Sequence, residues 1–211
     1  MLSLNRFGFP VPVAARGSSI FFIAAEFLAR FRIDPSLFLQ FFMTEGGMSD
    51  QPNQFADDFV MSFAPLCLAT VYQKVDNPAN GAIAIMSGMV RQETQGRAVQ
   101  FLEYQAYNPM AIAVFQTIAQ QIRQRWPTVT RVVIHHRTGK LQIGEISVLV
   151  AIGCPHRAEA FAACQYAIDT LKHQAPIWKK EYWQDGSSSW VSIADCQGLV
   201  PANPHATSRN N

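Results

Sequence analysis

Two helix-length segments, each stopped by a proline, divide a sequence that otherwise has the pattern of strands. The first opens with an Asn-Pro pair at Asn108, a favourable helix start, and carries apolar residues at helical spacing until Pro127. The second covers residues 155–174 and is stopped by Pro176. Strands arranged around two principal helices predict an α+β fold rather than a doubly wound parallel sheet.

Six segments have the alternation or the β-branched content of strands. They are residues 82–90, 98–107, 129–135, 145–152, 177–183 and 189–193. We expect the first two to pair as a hairpin, because the linker between them contains Gly96. The last two flank an Asp-Gly turn signal at residues 185–186, so we expect a second hairpin there. These pairings favour a mixed or antiparallel sheet.

The length and composition favour a globular protein of one domain, alone or with an appendage. The 211 residues are 49% hydrophobic and 15% charged, which is the balance of a chain with a buried core. The formal net charge of +2 is too small for a broad cationic surface, so we expect no nucleic-acid partner and only a local anion site. The four cysteines form no C-x-x-C pair, which argues against a zinc site or a disulfide framework and favours reduced thiols in the cytoplasm.

The amino-terminal segment differs from the rest of the chain. Nine of the fifteen phenylalanines lie before residue 43, and periodicity there is weak. Its apolar runs fall short of the ~20 residues that cross a bilayer, so no membrane span is expected, and a signal peptide is the less favoured interpretation. We expect residues 1–47 to be a non-native or disordered extension, residues 48–196 to be the catalytic domain, and residues 197–211 to be a flexible tail.

A set of basic residues is placed where an anion could bind. It comprises Arg91, His156, Arg157, Lys172 and Lys179. The pair His156 and Arg157 opens a helix, where free backbone N–H groups and the helix dipole favour phosphate. Arg157 and Lys172 lie about 40° and about 20° from Phe161 around the helix axis, which predicts that both are on the apolar side.

Structural alternatives to an anion site remain open for these cations. Arg157 and Lys172 could snorkel, or pair with Glu103, Glu145 or Asp169. Spacing alone does not decide between these interpretations.

Cysteine and histidine offer weaker candidates. Cys154, just before a helix start and close to His156, could be a thiol nucleophile of a phosphate-ester enzyme, but the loop is too short for a cysteine-phosphatase cradle. Cys164 lies on the apolar stripe and is expected in the core. His135 and His136 point to opposite faces of a regular strand, so they cannot easily share a metal ion, and packing or surface roles are expected for both.

Several separated motifs resemble the large, catalytic subunit of molybdopterin synthase. They are Met-Ser-Gly-Met-Val-Arg at 86–91, Leu-Glu-Tyr-Gln-Ala-Tyr at 102–107, Cys-Pro-His-Arg at 154–157, and the distinctive Leu-Lys-x-x-x-Pro-x-Trp-Lys-Lys-Glu pattern at 171–181. They occur in the order in which the family has them, and the similarity covers about residues 59–191.

The resemblance implies a hammerhead-type α+β fold and a homodimer. A small ubiquitin-like sulfur-carrier subunit would bind at each outer end, giving a heterotetramer. The substrate would be cyclic pyranopterin monophosphate, and two sulfur transfers from the thiocarboxylated C-terminus of the small subunit would build the molybdopterin dithiolene. The reaction would need no metal or other cofactor of its own and no membrane, and sulfur would arrive with the partner.

By the same resemblance, Lys172 and Lys179 are the expected catalytic residues at the sulfur-transfer centre. Arg91, His156 and Arg157 match the positions that bind the phosphate and the pterin. Lys180 is expected to be solvated. The family pattern is broken where Cys154 replaces a small Ser or Ala, and where a basic residue after Trp190 is missing.

The two ends of the second helix are too far apart for one small ligand. Fifteen residues at ~1.5 Å each separate Arg157 from Lys172 by roughly 22 Å. We therefore expect a composite pocket, with His156 and Arg157 of one protomer facing Arg91, Lys172 and Lys179 of the other. The alternative from another functional class is a non-catalytic module that binds the carboxyl tail of a ubiquitin-like partner.

Overall fold

The computed structural model describes residues 2–4, 10–12 and 56–191. The chain divides into two units, the first ending at Pro52. In the first unit, β1 (Leu2–Leu4) pairs antiparallel with β2 (Pro10–Pro12). Apart from these strands, the expected extension at 1–47 lies outside the described residues, as does the expected tail at 197–211, and both remain predictions.

A four-stranded sheet forms the centre of the second unit. Its order is β3 (Asp58–Ser62), β7 (Arg131–Arg137), β9 (Ile146–Cys154) and β4 (Ala82–Met89). β3 and β7 run parallel, whereas β9 is antiparallel to both of its neighbours. β7 and β9 are buried on both faces, which explains their continuous apolar runs.

Helices cover both faces of this sheet. The helices α2 (Asn108–Arg125) and α3 (Arg157–Gln174) pack on one face, and the eight-residue α1 (Leu68–Val75) packs on the other. The larger core therefore lies between the sheet and the helix pair, around Phe115, Ile118 and Ile152, all of which are fully buried. No helix in the described part of the chain is long and apolar enough to cross a membrane.

A second sheet carries the carboxyl-terminal strands. Its strands are β5 (Glu93–Thr94), β6 (Arg97–Ala106), β8 (Gly139–Gln142), β10 (Ile177–Trp183) and β11 (Ser188–Val191). β6 pairs with β10 on one side and with β8 on the other. Val90, Leu102, Leu141 and Trp183 form part of its small apolar cluster. The mixed α+β class and the last hairpin are confirmed.

The expected hairpin between residues 82–90 and 98–107 is wrong. These segments are strands, but β4 pairs with β9 and β6 pairs with β10, in different sheets. The linker itself forms the hairpin, because β5 pairs with the start of β6. Gln95 and Gly96 have φ values of 51° and 77°, the positive angles that a tight two-residue turn between twisted strands requires. Local alternation predicted the strands but not their partners.

Four elements of the second unit, β3, β5, β8 and α1, are absent from the sequence prediction, and β8 and α1 show why. β8 lies in the segment interpreted as a loop because of its glycines, and Gly139 at its start has φ of 84°. α1 is only eight residues long and buries just Val71 and Val75, and so short a segment is marginal as a helix on local preference alone. Both elements are stabilised by partners distant in sequence, β6 and the central sheet, rather than by strong local preferences.

His136 joins the two sheets. Its ring packs edge-on against Tyr104 of β6, with ring centroids 5.2 Å apart, and its Nδ1 lies 2.8 Å from the Arg137 carbonyl oxygen. Burial lowers the pKa of the His136 imidazole from 6.5 to about 4. His135 points to the other face, where its Nε2 lies 2.8 Å from Asp58. Both histidines are buried, so the packing interpretation is confirmed.

The neutral state of His136 should make the fold sensitive to acid. The unfolded chain takes up this proton near pH 6.5 but the folded chain only near pH 4, so stability falls as the pH drops through this interval. The loss attributable to this group is about 3 kcal/mol at most. Urea unfolding at pH 7 and pH 4.5 should therefore show a smaller pH effect for His136→Gln than for the wild type. His173→Gln, on the exposed side of α3, should keep the wild-type pH effect, and equal pH effects in all three proteins would contradict the assignment.

Candidate active site

Lys179 and Glu181 form a buried ion pair on β10. Their atoms Nζ and Oε1 are 2.8 Å apart, and the side chains are 13% and 1% exposed. The two residues are i and i+2 on a strand, so both point to the face that carries Leu102 and Tyr104 of β6. This arrangement provides a largely desolvated ammonium, held by a carboxylate, at the edge of a small apolar cluster.

Lys180 points to the opposite face of β10. Its Nζ lies 4.9 Å from the ring centroid of Tyr182 and 5.8 Å from that of Trp190, so it is half-buried against aromatic rings. The expectation that Lys180 is simply solvated is therefore wrong. On the same face, Glu103 accepts hydrogen bonds from Gln105 and Tyr182, which lower the pKa of its carboxyl group.

The prediction that Arg157 and Lys172 lie on the buried side of α3 is wrong for the single chain. Both residues are exposed, and Phe161, which served as the reference for the apolar side, is 67% exposed. The helix instead buries a face made mostly of small residues: Ala160, Ala163, Cys164, Ala167, Ile168 and Leu171. Alanines allow α3 to lie close on β4 and β9, and the large aromatic residue is left outside.

The ion-pair alternative does not apply to these two cations. Within residues 56–191, neither Arg157 nor Lys172 forms an ion pair. Glu145 pairs instead with Arg137 at 2.8 Å, and this contact lowers the pKa of the Glu145 carboxyl group. Exposed cations grouped on one helix face are available for an anionic ligand or for a second chain.

Arg91 lies at the same end of the central sheet as the C-terminus of α3. It follows β4 directly, and its neighbour Val90 packs in the apolar cluster with Leu102 and Trp183. α3 begins just after β9 ends and packs back along β9 and β4, so Lys172 in its last turn returns to the end where β9 begins. Exposed Arg91 and Lys172 thus share one end of the sheet.

His156 and Arg157 lie at the other end. Ala82 is paired with Cys154 and Met89 with Ile146, so the two ends of β4 are roughly 23 Å apart at about 3.3 Å per residue. This separation agrees with the estimate from the length of α3. The structure therefore does not bring all five predicted site residues together within one chain.

The start of α3 is held in place by Glu159. Thr128 and Cys154 donate hydrogen bonds to its Oε2, and these contacts lower the pKa of the Glu159 carboxyl group. A carboxylate in the first turn is also favoured by the helix dipole. The contacts attach the helix terminus that carries His156 to the neighbouring loop and strand.

Cys154 is buried in this contact, and its Sγ lies 3.4 Å from both Thr128 Oγ1 and Glu159 Oε2. A nucleophile must reach its substrate, so burial argues against the thiol-enzyme interpretation. Cys164 is confirmed as a core residue, and burial raises the pKa of its thiol to about 11.

The sequence interpretation assigned no role to Glu181. It belongs to the quoted Lys-Lys-Glu motif, and the strand period alone places it on the same face as Lys179. An acid two residues after a candidate catalytic lysine on a predicted strand is a signal that could have identified the pair.

Comparisons with known proteins agree on one family. The profile of the family described as "MoaE protein" matches residues 61–174. The chain is 67% identical over 141 residues to a molybdopterin synthase catalytic subunit of Nostoc sp., which covers 67% of this chain and 86% of that relative.

Solved structures show the same fold. A molybdopterin synthase structure from Staphylococcus aureus superposes with a TM-score of 0.59 at 38% identity, covering 64% of this chain and 96% of that one. A complex of subunits 1 and 2 of molybdopterin-converting factor from Helicobacter pylori gives a TM-score of 0.53 at 23% identity, covering 63% and 88%. The second likeness shows the shared fold only.

Thiol labelling can test the burial of Cys154. Iodoacetamide should modify Cys67 in the folded protein, because Cys67 is exposed and hydrogen bonds from Thr70, chiefly from its backbone N–H, lower the pKa of the Cys67 thiol. Cys154 and Cys164 should react only after unfolding in guanidinium chloride. Peptide mapping by mass spectrometry gives the extent at each site, and labelling of Cys154 as fast as Cys67 in the folded protein would restore the thiol-nucleophile hypothesis.

Proposed function

We propose that this chain, which belongs to the MoaE family, is the catalytic subunit of a molybdopterin synthase. The family profile covers more than half of the chain. The chain also spans most of the length of a relative that carries this name. The protein is accordingly a sulfurtransferase of molybdenum cofactor biosynthesis.

The reaction transfers sulfur from a thiocarboxylated protein C-terminus to cyclic pyranopterin monophosphate. The sulfur donor is a small ubiquitin-like subunit, and the product is the dithiolene of molybdopterin. The name of the 67% identical relative, a molybdopterin synthase catalytic subunit, supports such a partner, because a catalytic subunit works with at least one other subunit. The assembly is a heterotetramer built on a homodimer, and we place it in the cytoplasm, in keeping with the free thiols of Cys67, Cys154 and Cys164.

One observation carries the chemical part of the proposal, namely the buried Lys179–Glu181 pair. An ammonium in a water-poor site interacts strongly with developing negative charge, because the local dielectric screens it weakly. Lys179 can therefore polarise the thiocarboxylate carbonyl and stabilise the anionic state formed when sulfur is transferred. The sequence motif supports Lys172 as the second catalytic cation, and its exposure leaves it open to the incoming tail.

We further propose that the pocket is completed by the second protomer. Arg91, Lys172 and Lys179 belong to one half, and His156 with Arg157 to the other. Two estimates, ~22 Å along α3 and ~23 Å along β4, separate the halves within one chain. A cyclic phosphate attached to a pterin is too small to bridge that distance.

The exposed side of α3 fits such a dimer. Arg157, Phe161, Gln165 and Lys172 lie within an arc of about 80° on this helix and are all exposed. Gln165 is midway between the two cations. A second α3 packed antiparallel about this point would bring Arg157 of one protomer beside Lys172 of the other and would cover both copies of Phe161. The anionic substrate would offset the repulsion between the facing cations.

The direct test is reconstitution. Purified protein is incubated with thiocarboxylated small subunit and cyclic pyranopterin monophosphate, and dithiolene product is assayed. We expect product, and at least a 100-fold lower rate for Lys172→Ala and Lys179→Ala, the order expected for loss of a charge-stabilising group. Small-subunit binding is measured in parallel. If the two variants lose binding of the small subunit and show no separate loss in the sulfur-transfer step, the result would favour the non-catalytic binding module.

Hybrid dimers test the composite pocket. Lys172→Ala and Arg157→Ala subunits are each inactive alone, but a mixed dimer contains one site with both cations intact. Random mixing makes half of the dimers mixed, so about a quarter of wild-type activity should return. Each variant refolded alone is the control. Activity no higher than that of the separate variants would contradict a pocket shared between protomers.

A further inference from the structure

One carboxylate oxygen of Glu181 is buried and accepts no hydrogen bond from the described residues. Its side chain is 1% exposed, and its Oε1 lies 2.8 Å from Nζ of Lys179 and 3.4 Å from Oγ1 of Thr94. Its Oε2 is buried and has no hydrogen-bond partner among the described residues. Burying a carboxylate with one oxygen unpaired costs folding free energy. The arrangement therefore needs an explanation other than stability.

The surroundings of the pair are mostly apolar. Leu102 lies directly across from Glu181 on β6, and Tyr104 lies across from Lys179. Leu102 and Tyr104 both pack in the apolar cluster of the second sheet. Two apolar side chains of similar volume would stabilise such a position as well as an ion pair, since the cost of desolvating the charges offsets most of their attraction.

Access differs between the two members of the pair. Lys179 is 13% exposed and Glu181 only 1%. A bound ligand can meet the ammonium but cannot reach the carboxylate behind it. Any effect of Glu181 on the reaction must therefore pass through Lys179.

We propose that Glu181 is a positioning residue for sulfur transfer, which fixes the place of the Lys179 ammonium. This inference rests on the proposed function. The carboxylate engages one of the three ammonium donors and thereby sets the direction of the others. It also compensates the charge of an ammonium that is largely removed from water. Thr94 bonds to the same oxygen and helps to hold the carboxylate in place.

Glu181→Gln keeps the shape of the side chain and removes its charge. We expect the single-turnover rate of sulfur transfer to fall roughly 10- to 100-fold, because a misplaced Lys179 ammonium no longer meets the reacting group. The dissociation constant of the small subunit should stay within about twofold, since the Glu181 side chain is only 1% exposed. Glu103→Gln is the matched control, because it makes the same substitution on the neighbouring strand β6 but on the opposite face of the sheet. This variant should transfer sulfur at the wild-type rate.

A double-mutant cycle asks whether Glu181 acts through Lys179. Lys179→Ala combined with Glu181→Gln should be no slower than Lys179→Ala alone. A further loss of more than about threefold would overturn the inference, as would a Glu181→Gln rate within about twofold of the wild type.

Glu181→Asp keeps the inference testable should Glu181→Gln fail to fold. The charge is retained but the reach is one methylene shorter, so we expect a loss of roughly three- to tenfold in the transfer rate. A wild-type rate for this variant would then overturn the positioning role. Circular dichroism and thermal melting exclude rate losses due to unfolding.

The wild-type reaction distinguishes failure of the proposed function from failure of the positioning role of Glu181. If wild-type protein forms no dithiolene with thiocarboxylated small subunit, the proposed function fails. If the wild type is active and the Glu181 variants are equally active, the function stands and only the positioning role is lost.

Discussion

The length of α3 is the constraint on which the site depends. The helix spans the central sheet from the end of β9 back to its beginning, and it carries cations at both ends. Rigid secondary structure keeps these ends more than 20 Å apart, as the rise per residue requires. One chain can therefore supply two half-sites but not a closed pocket. In the proposed composite pocket, a second copy of the chain brings the missing half within reach of a small anionic substrate.

The two sheets have different tasks. The four-stranded sheet, buried between helices, provides a stable frame, and the second sheet carries the reactive strand β10 beside a smaller apolar cluster. Strand alternation puts Lys179 and Lys180 on opposite faces, so neighbouring lysines have different environments. One forms a buried pair with a carboxylate, and the other packs over aromatic rings. The environment rather than the residue type is therefore the reason for proposing Lys179 as the catalytic lysine.

Much of the fold could be predicted from the sequence. Both long helices, the final hairpin and the strands at β4, β6, β7 and β9 follow from local periodicity and from prolines. The partners of β4 and β6 could not be predicted, because pairing depends on contacts far apart in sequence. The buried face of α3 was also misassigned. The helical spacing predicts Phe161 on the apolar side, but alanines form the packed face and the aromatic ring is left exposed.

The sequence by itself determined the family and the candidate site residues. A conspicuous motif around Lys172 and Lys179, together with a His-Arg pair at a helix start, is sufficient to identify the family. Only the tertiary structure decided how these groups are distributed. It buried Lys179 against Glu181, left Lys172 exposed and put His156 at the far end of the sheet. The reason is that burial and distance depend on the packing of elements far apart in the chain, whereas a motif records only the order of residues along it.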